Sequence, residues 1–319
     1  GHVLFHVPSF AAYGRLAGRT RDDMIAGARV EVAPFKRDAA DFVLWKPSSA
    51  EQPGWDSPWG RGRPGWHIEC SAMAEKHLGH TIDIHGGGND LKFPHHENEI
   101  AQSTCAHDGV EFARYGIHNG FVQMDKEKMS KSLGNILLVK DLVAQYPGEA
   151  VRMALLKAKY REPLNWDQDL IQQAKAQLDR LYGALERLES ASVDSDGAAH
   201  PDFISAMDDD LNTPAAIAVL MELANEANKT DDAASQARLK SQLLAAGREL
   251  GILSSTPADW FAFDPSGSID KDRVEQLIVE RSQARLDKNW QRADEIRDEL
   301  SGMGVQIKDG PDGTEWRIE

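Results

Sequence analysis

Three short runs in this chain carry residue types that could do chemistry. The first is Lys128-Met129-Ser130-Lys131-Ser132, followed by Leu133-Gly134-Asn135. Two lysines three apart, with small hydroxyl residues beside them, make a cationic loop. Each lysine is a point charge with rotatable donors, and each serine can hydrogen-bond a phosphate oxygen, so the run suits a triphosphate. A solvated basic turn is the plain alternative, and the string alone does not choose between them. The second set is Cys70, closing Trp66-His67-Ile68-Glu69-Cys70, together with His95, His96 and Glu99. Spacing of i to i+3 or i+4 puts a histidine and Glu99 on one helical face, reachable by one ion. Thiolate and imidazole favour zinc over magnesium, and zinc takes four ligands, of which three are nameable. The fourth is expected from substrate, water or a residue outside this chain. Taken singly, Cys70 reads as a buried helical cysteine and His95/Glu99 as a surface ion pair; together they read as ligands. Cys105, six residues past Glu99, leaves that face and is expected to be a buried structural thiol. The third run is His85-Gly86-Gly87-Gly88, where glycines at a strand end let the backbone approach a ligand closely.

The elements that must position these residues follow from periodicity and breakers. A helix is predicted over 66–76, a short strand over 81–84, and a helix from Pro94 through about 104 that carries the His/Glu set. Gly27-Ala28-Arg29-Val30-Glu31-Val32 alternates like a strand, beside an amphipathic segment near 21–26, and 53–64 is loop. Strand and helix alternate again through Phe121 and 141–146, which is α/β patterning. Beyond Asp169, Leu170, Ala174, Leu178, Leu181, Leu185 and Leu188 repeat at helical spacing. Ile217, Leu220 and Leu223 follow after a Thr213-Pro214 start, then Leu239, Leu243 and Leu250, which predicts an antiparallel helical bundle. Linkers are expected over 190–199 and 257–267, the second leading to a small unit of two helices (271–287, 290–302) and a two-stranded hairpin. The fold class is therefore α/β plus all-α. At 319 residues, 41% hydrophobic and 27% charged, the chain is an ordinary globular one with room for two or three domains. It holds no membrane-length apolar run or signal segment. Two cysteines fit a reducing cytoplasm. The net charge of -15 repels nucleic acid at long range, so RNA contacts would need local basic patches. The chain does not open with Met, and Gly1-His2-Val3-Leu4-Phe5-His6-Val7 reads as a strand entered midway, so a fragment is expected.

The combination resembles the cysteinyl-tRNA synthetases, class I. The matching strings are Trp45-Lys46, Pro64-Gly65-Trp66-His67-Ile68-Glu69-Cys70-Ser71-Ala72-Met73, Asp83-Ile84-His85-Gly86-Gly87-Gly88 and Phe93-Pro94-His95-His96-Glu97-Asn98-Glu99. The Lys128 to Asn135 run and Met207-Asp208-Asp209-Asp210-Leu211-Asn212-Thr213-Pro214 complete them. The resemblance implies that Cys70, His95 and Glu99 hold one zinc ion and that Trp66 walls a cysteine pocket. It implies that His85 lies next to a cysteinyl adenylate, and that Lys131, supported by Lys128, Ser130 and Ser132, contacts ATP. It implies a cytoplasmic, monomeric enzyme acting on L-cysteine, ATP and cysteine tRNA, with no membrane partner. By the same resemblance, 1–45 is the tail of a connective insertion and 46–140 the second half of a Rossmann-type catalytic domain, with 141–169 a junction. Residues 170–255 are then a tRNA-binding bundle and 268–319 an anticodon-recognition unit. His77-Leu78-Gly79-His80 mimics the family's His-Ile-Gly-His nucleotide motif, but it ends a helix and enters a strand, so no catalytic role is assigned to it. The first half of the nucleotide fold has no counterpart in the sequence, so the chain alone is expected to show little ATP–pyrophosphate exchange. The alternatives are a cysteine ligase of mycothiol synthesis, a non-catalytic tRNA- or zinc-binding fragment, and a zinc hydrolase built on His95, His96 and Glu99.

Overall fold

The computed structural model describes residues 1–20, 33–124, 127–128, 136–193, 197–310 and 313–318; the expected helical segment near 21–26 and the strand over 27–32 lie outside them. The chain divides into two compact units, Gly1–Phe121 and Val122–Glu319.

In the first unit, strands β1 (Val3–Phe5), β2 (Phe42–Pro47) and β3 (Gly62–Pro64) form an antiparallel sheet in that order. The buried Asp41 carboxylate fixes the entry to β2 by accepting from the Val7 and Asp38 N–H groups, each at 3.0 Å. Helix α1 (Trp66–Leu78) starts directly against β2. The Gly65 N–H donates to the Leu44 carbonyl at 2.8 Å, and a Cβ at residue 65 would overlap the Val43 carbonyl oxygen, so only glycine fits. Helix α1 stops at Gly79, which takes a φ of 91°. Strand β4 (Ile82–Gly88), an irregular turn (Lys92–His96), helix α2 (Glu97–Ala106) and strand β5 (Ala113–Asn119) follow. β4 and β5 pair in parallel, with His85 opposite Gly116 and Gly87 opposite His118, so this stretch is one β-α-β crossover. Phe93 is the one non-helical residue of Lys92–His96 (φ -139°, ψ 133°), the extended conformation a residue before proline takes, and from Pro94 the backbone is helical and runs into α2 as expected.

The second unit opens with β6 (Val122–Met124), which pairs antiparallel with β7 (Glu127–Lys128) and parallel with β8 (Leu164–Trp166). Helices α3 (Val139–Val143) and α4 (Gly148–Leu156) intervene, and α5 (Gln168–Arg187), α6 (Pro201–Asp208), α7 (Thr213–Ala227) and α8 (Ala233–Leu250) carry the predicted apolar stripes. Asp167, Asn212 and Asp232 side chains each accept from the first-turn backbone, so the helix expected to start at Thr213-Pro214 is capped by Asn212 rather than Thr213, and Gly251 closes α8 left-handed. One core contains Leu178, Leu181, Leu220, Leu239 and Leu243, and it also takes in Met153, Ala154 and Trp166 ahead of the bundle. The expected linker over 257–267 is folded at its start. Thr256 caps α9 (Pro257–Phe261), Trp260 stacks on Tyr182 with ring centres 4.6 Å apart, and its Nε1 donates to Asp179 at 2.8 Å. Helices α10 (Lys271–Leu286) and α11 (Trp290–Gly302) and the hairpin of β9 (Val305–Gly310) and β10 (Gly313–Ile318) close the chain around a separate core of Val274, Leu277, Ile278, Ile296, Leu300 and Val305.

The observed class is α/β in the first unit and mainly helical in the second. Among the described residues, parallel pairing is confined to β4/β5 and β6/β8. Glu149 on α4 pins the end of the bundle. It accepts from Tyr182 Oη (2.7 Å) and from the Leu253 and Ser254 N–H groups (2.8 Å each). Glu149→Ala leaves the buried phenol and two backbone donors without their acceptor. It is expected to lower stability by about 2 kcal/mol, read as a fall in the urea midpoint of the Trp260 fluorescence transition.

Candidate metal centre

The first turns of α1 and the approach to α2 bring three donors together. Sγ of Cys70, a ring nitrogen of His95 and a carboxylate oxygen of Glu99 lie within 4.8 Å of one another. His95 stands one helical turn before Glu99, as the i, i+4 spacing predicts. The two helices are stitched beside this point by buried Gln102, whose Nε2 donates to Ser71 Oγ at 2.7 Å. Glu97 accepts from the Gly14 and Ala17 N–H groups, and Tyr13 Oη donates to Asn98, so an N-terminal loop is fastened to the same helix.

Glu99 is the hub of the centre. Its side chain is 4% exposed, and its two oxygens meet different partners. Oε2 is hydrogen-bonded by His85 Nε2 at 2.8 Å. Oε1 faces His95 Nε2 at 2.6 Å, yet no donor among the described residues is aligned to hydrogen-bond it. A buried carboxylate oxygen left in this state is costly. His95 Nδ1 lies 2.7 Å from His67 Nδ1. When neutral His95 donates its Nδ1–H to His67 Nδ1, its Nε2 presents a lone pair to the lone pairs of Oε1. A cation satisfies both atoms. Cys70, His95 and Glu99 therefore fit a thiophilic divalent ion, and the His85 bond to Oε2 is the outer contact that orients such a ligand.

The electrostatics agree with this arrangement. Burial, then the neighbouring Glu99 and Glu69 carboxylates, push the Cys70 thiol up. Burial alone would raise Glu99 too, but the hydrogen bond from His85 and the nearby rings of His95 and His96 hold it below the usual carboxylate range. Burial and the facing His95 push His67 down to about 4, and burial and the stacked His85 push His96 down to about 4. At neutral pH Cys70 is thus a thiol, Glu99 a carboxylate and His67 and His96 neutral imidazoles, and ligation requires the thiol to lose its proton.

The remaining candidates fall in several places. His85, His96 and Glu99 also converge, without a thiol. The His85 and His96 rings stack at 3.9 Å, and His96 Nδ1 lies 2.8 Å from His118 Nε2. A Cβ at residue 87 would come within 2.9 Å of His96 Cε1, so the middle glycine of the triple is what admits this ring. His118 and the His67–His95 contact escaped the sequence reading. Only the β4/β5 register brings His118 in, and no spacing announces a register. Trp66 is 76% exposed at the first position of α1. Lys128 ends β7, its backbone opposite Gln123, whereas Ser130, Lys131 and Ser132 lie outside the described residues. Cys105 is not the buried thiol expected. The buried face of α2 runs through Glu97, Asn98, Glu99, Ala101 and Gln102, and Cys105, on the last turn, is exposed.

Comparison with known proteins places this geometry in a family. A model of the tRNA synthetases class I (C) catalytic domain matches residues 1–176. A protein of Parvibaculum lavamentivorans named Cysteine--tRNA ligase is 63% identical over 320 residues, covering 100% of this chain and 68% of its own length. The chain belongs to the cysteinyl-tRNA synthetase family. Proteins of the same name from Maricaulis maris and Xanthomonas campestris pv. campestris are each 57% identical, over 99% of this chain and 68% and 69% of their own lengths. A DALR domain model matches residues 202–254, and a model of the cysteinyl-tRNA ligase anticodon binding domain matches residues 271–317. In cysteinyl-tRNA synthetase terms, the Cys70 centre, α3 and α4 fall inside the catalytic-domain match, α7 and α8 inside the DALR match, and α10 and α11 inside the anticodon-binding match.

Two outcomes test the centre. In the Co2+-substituted chain, Cys70→Ala is expected to abolish the thiolate-to-cobalt charge-transfer absorption; an unchanged band removes Cys70 from the ligand set. The metal-stripped chain should also be acid-sensitive. The unfolded state takes protons on His67 and His96 near 6.5 while the folded state holds them off until about 4. Stability is therefore full above pH 6.5 and falls as the pH drops toward 4, with Glu99 acting in the same direction below its ordinary value of 4.5. Urea midpoints measured across that window should decrease steadily.

Proposed function

We propose that this chain carries part of the machinery of the cysteine--tRNA ligase reaction and shows little activity by itself: the reaction is ATP-dependent activation of L-cysteine as cysteinyl adenylate, then transfer to its cognate tRNA, with one zinc ion held by Cys70, His95 and Glu99. The observation that carries the reading is the buried Glu99 Oε1, without an aligned donor, set against His95 Nε2 and beside a thiol. Zinc bound by these residues would take the substrate sulfur as a thiolate, a soft interaction that serine's hydroxyl does not offer. Shape alone discriminates poorly between side chains differing by one atom, so a ligand set of this kind makes a separate editing step unnecessary.

The chain's own residues divide the rest of the work. Cys70 and Glu99 supply the two negative charges that hold the cation, and His85 orients Glu99 through its Nε2. The His85 ring also borders a cleft of ≈ 400 Å³ lined by Phe112, Gly116 and His118, which supports placing it next to the adenylate. Trp66 walls the cysteine pocket. The cysteine carboxylate oxygen attacks the α-phosphorus of ATP, and pyrophosphate leaves. Lys131 and Lys128, with the Ser130 and Ser132 hydroxyls, offset the charge that gathers on the β- and γ-phosphates. The terminal ribose hydroxyl of the tRNA then attacks the adenylate carbonyl, and AMP leaves. In this reading 46–140 is the second half of a Rossmann-type catalytic domain and 170–255 bears on the tRNA. Residues 268–319 meet the anticodon, in line with the matches described for the second unit.

Aminoacylation tests the reading directly. Cysteine tRNA should be charged by the full-length protein, and transfer of cysteine to an amino-sugar acceptor in place of tRNA would overturn it. Lys131→Ala should slow cysteine-dependent ATP–pyrophosphate exchange by roughly 10²–10³-fold with bound zinc unchanged. Exchange at the wild-type rate would remove Lys131 from the phosphate site.

A further inference from the structure

The α1–α2 pair carries a second cluster at its opposite end. Glu75 lies on the last turns of α1, His80 just past the Gly79 stop, and His107 just past the end of α2. Their donor atoms lie within 4.8 Å of one another, and the cluster shares no residue with the Cys70 centre. His107 Nδ1 sits 2.8 Å from the Ser103 carbonyl oxygen. A carbonyl only accepts, so Nδ1 is the donor and the neutral ring presents a lone pair on Nε2. That Nε2 faces Glu75 Oε1 at 3.2 Å, and His80 Nε2 lies 3.8 Å from the same oxygen. The two rings stand together with centres 4.1 Å apart, so both address one carboxylate.

We propose that Glu75, His80 and His107 form a second site for a divalent transition-metal ion, of imidazole–carboxylate type, which ties the C-terminal ends of α1 and α2. Ligands held about 2.0–2.1 Å from a tetrahedral zinc ion stand roughly 3.3 Å from one another, and the two N···O separations bracket that spacing. The outer hydrogen bond that orients a ligating histidine is already made, by His107 Nδ1 to Ser103. His80 is 62% and Glu75 48% exposed, so an ion enters from solvent and water completes its shell. Two imidazoles and one carboxylate suit Zn2+, Co2+, Ni2+ or Cu2+ rather than Mg2+ or Ca2+. The inference rests on this cluster alone and stands apart from the function proposed for the Cys70 centre. It gives the His77 to His80 string a chemical use that its place in the fold denies it as a nucleotide motif.

Co2+ distinguishes the two sites, because only the Cys70 centre has a thiolate. The metal-stripped full chain titrated with Co2+ is expected to take up two equivalents by equilibrium dialysis, one of them with the charge-transfer band. His80→Ala, at an exposed position, should reduce uptake to one equivalent with the band retained. Cys70→Ala should lose the band and keep the other equivalent. Glu75→Gln, isosteric and exposed, should weaken the band-silent equivalent about 10-fold or more. A single equivalent in the wild-type chain with the band present, or two equivalents still bound by His80→Ala, would overturn the second site. Loss of the band from the wild type, with a silent equivalent still bound, would count against the Cys70 centre alone.

Discussion

The first unit is organised around one constraint: a carboxylate buried on α2 must satisfy two oxygens with different partners. Glu99 Oε2 is met by His85 from strand β4, and Oε1 is turned toward Cys70 and His95. Each neighbouring feature serves that division. Gly65 lets α1 begin close enough to β2 to bring Cys70 in, and Gly87 leaves room for His96. The Gln102–Ser71 bond sets the spacing of the two helices one turn away. Had Oε2 also lacked a donor, the carboxylate would be driven toward its neutral form by burial, and its value as a cation ligand would be lost.

The second unit follows a different logic. Its helices are specified by apolar stripes and caps, and buried charge enters at particular points: Glu149 gathers Tyr182 and two backbone donors at the bundle's end, and buried Arg281 pairs with Asp309 near the terminal core. The terminal hairpin is attached in the same manner, by Arg317 Nη2 bonded to Glu186 at 2.5 Å while its guanidinium covers the Phe261 ring. Polar pins of this kind fix orientation, whereas the area buried by Leu178, Leu220 and Leu243 supplies the stability.

This contrast accounts for what the sequence disclosed. The bundle was legible because a period of 3.6 and a proline at a helix start are local signals. The clustering of Cys70, His95 and Glu99 was partly legible: His95 and Glu99 stand at local spacing, while Cys70 needed a contact between two helices. His118 and the His67–His95 pair were not legible, since a parallel register and a crossover decide them. The helical start at Pro94 was legible because proline at a first helical position and an extended residue before it are one local signal, and Phe93 is extended. Cys105 was assigned to the core by residue type, yet its place on the last turn of α2 decides its exposure. Beyond Lys128 the lysine/serine run lies outside the described residues, and its phosphate role stays a proposal.

Charge accounting explains why the Cys70 centre is built from these residue types. With the thiol pushed up and the carboxylate held ionised, Cys70 and Glu99 together carry one negative charge. His67 and His96, held neutral by burial, add nothing that would repel a cation. A dication that displaces the Cys70 proton then meets two negative ligands, and the buried group becomes neutral. Replacing Cys70 by histidine would leave a net positive charge in the same pocket, and replacing His95 by a carboxylate a net negative one; either must be desolvated without compensation. One thiol, one carboxylate and one imidazole are thus the combination for which burial, which raises the thiol and would otherwise raise the carboxylate, works in favour of the metal.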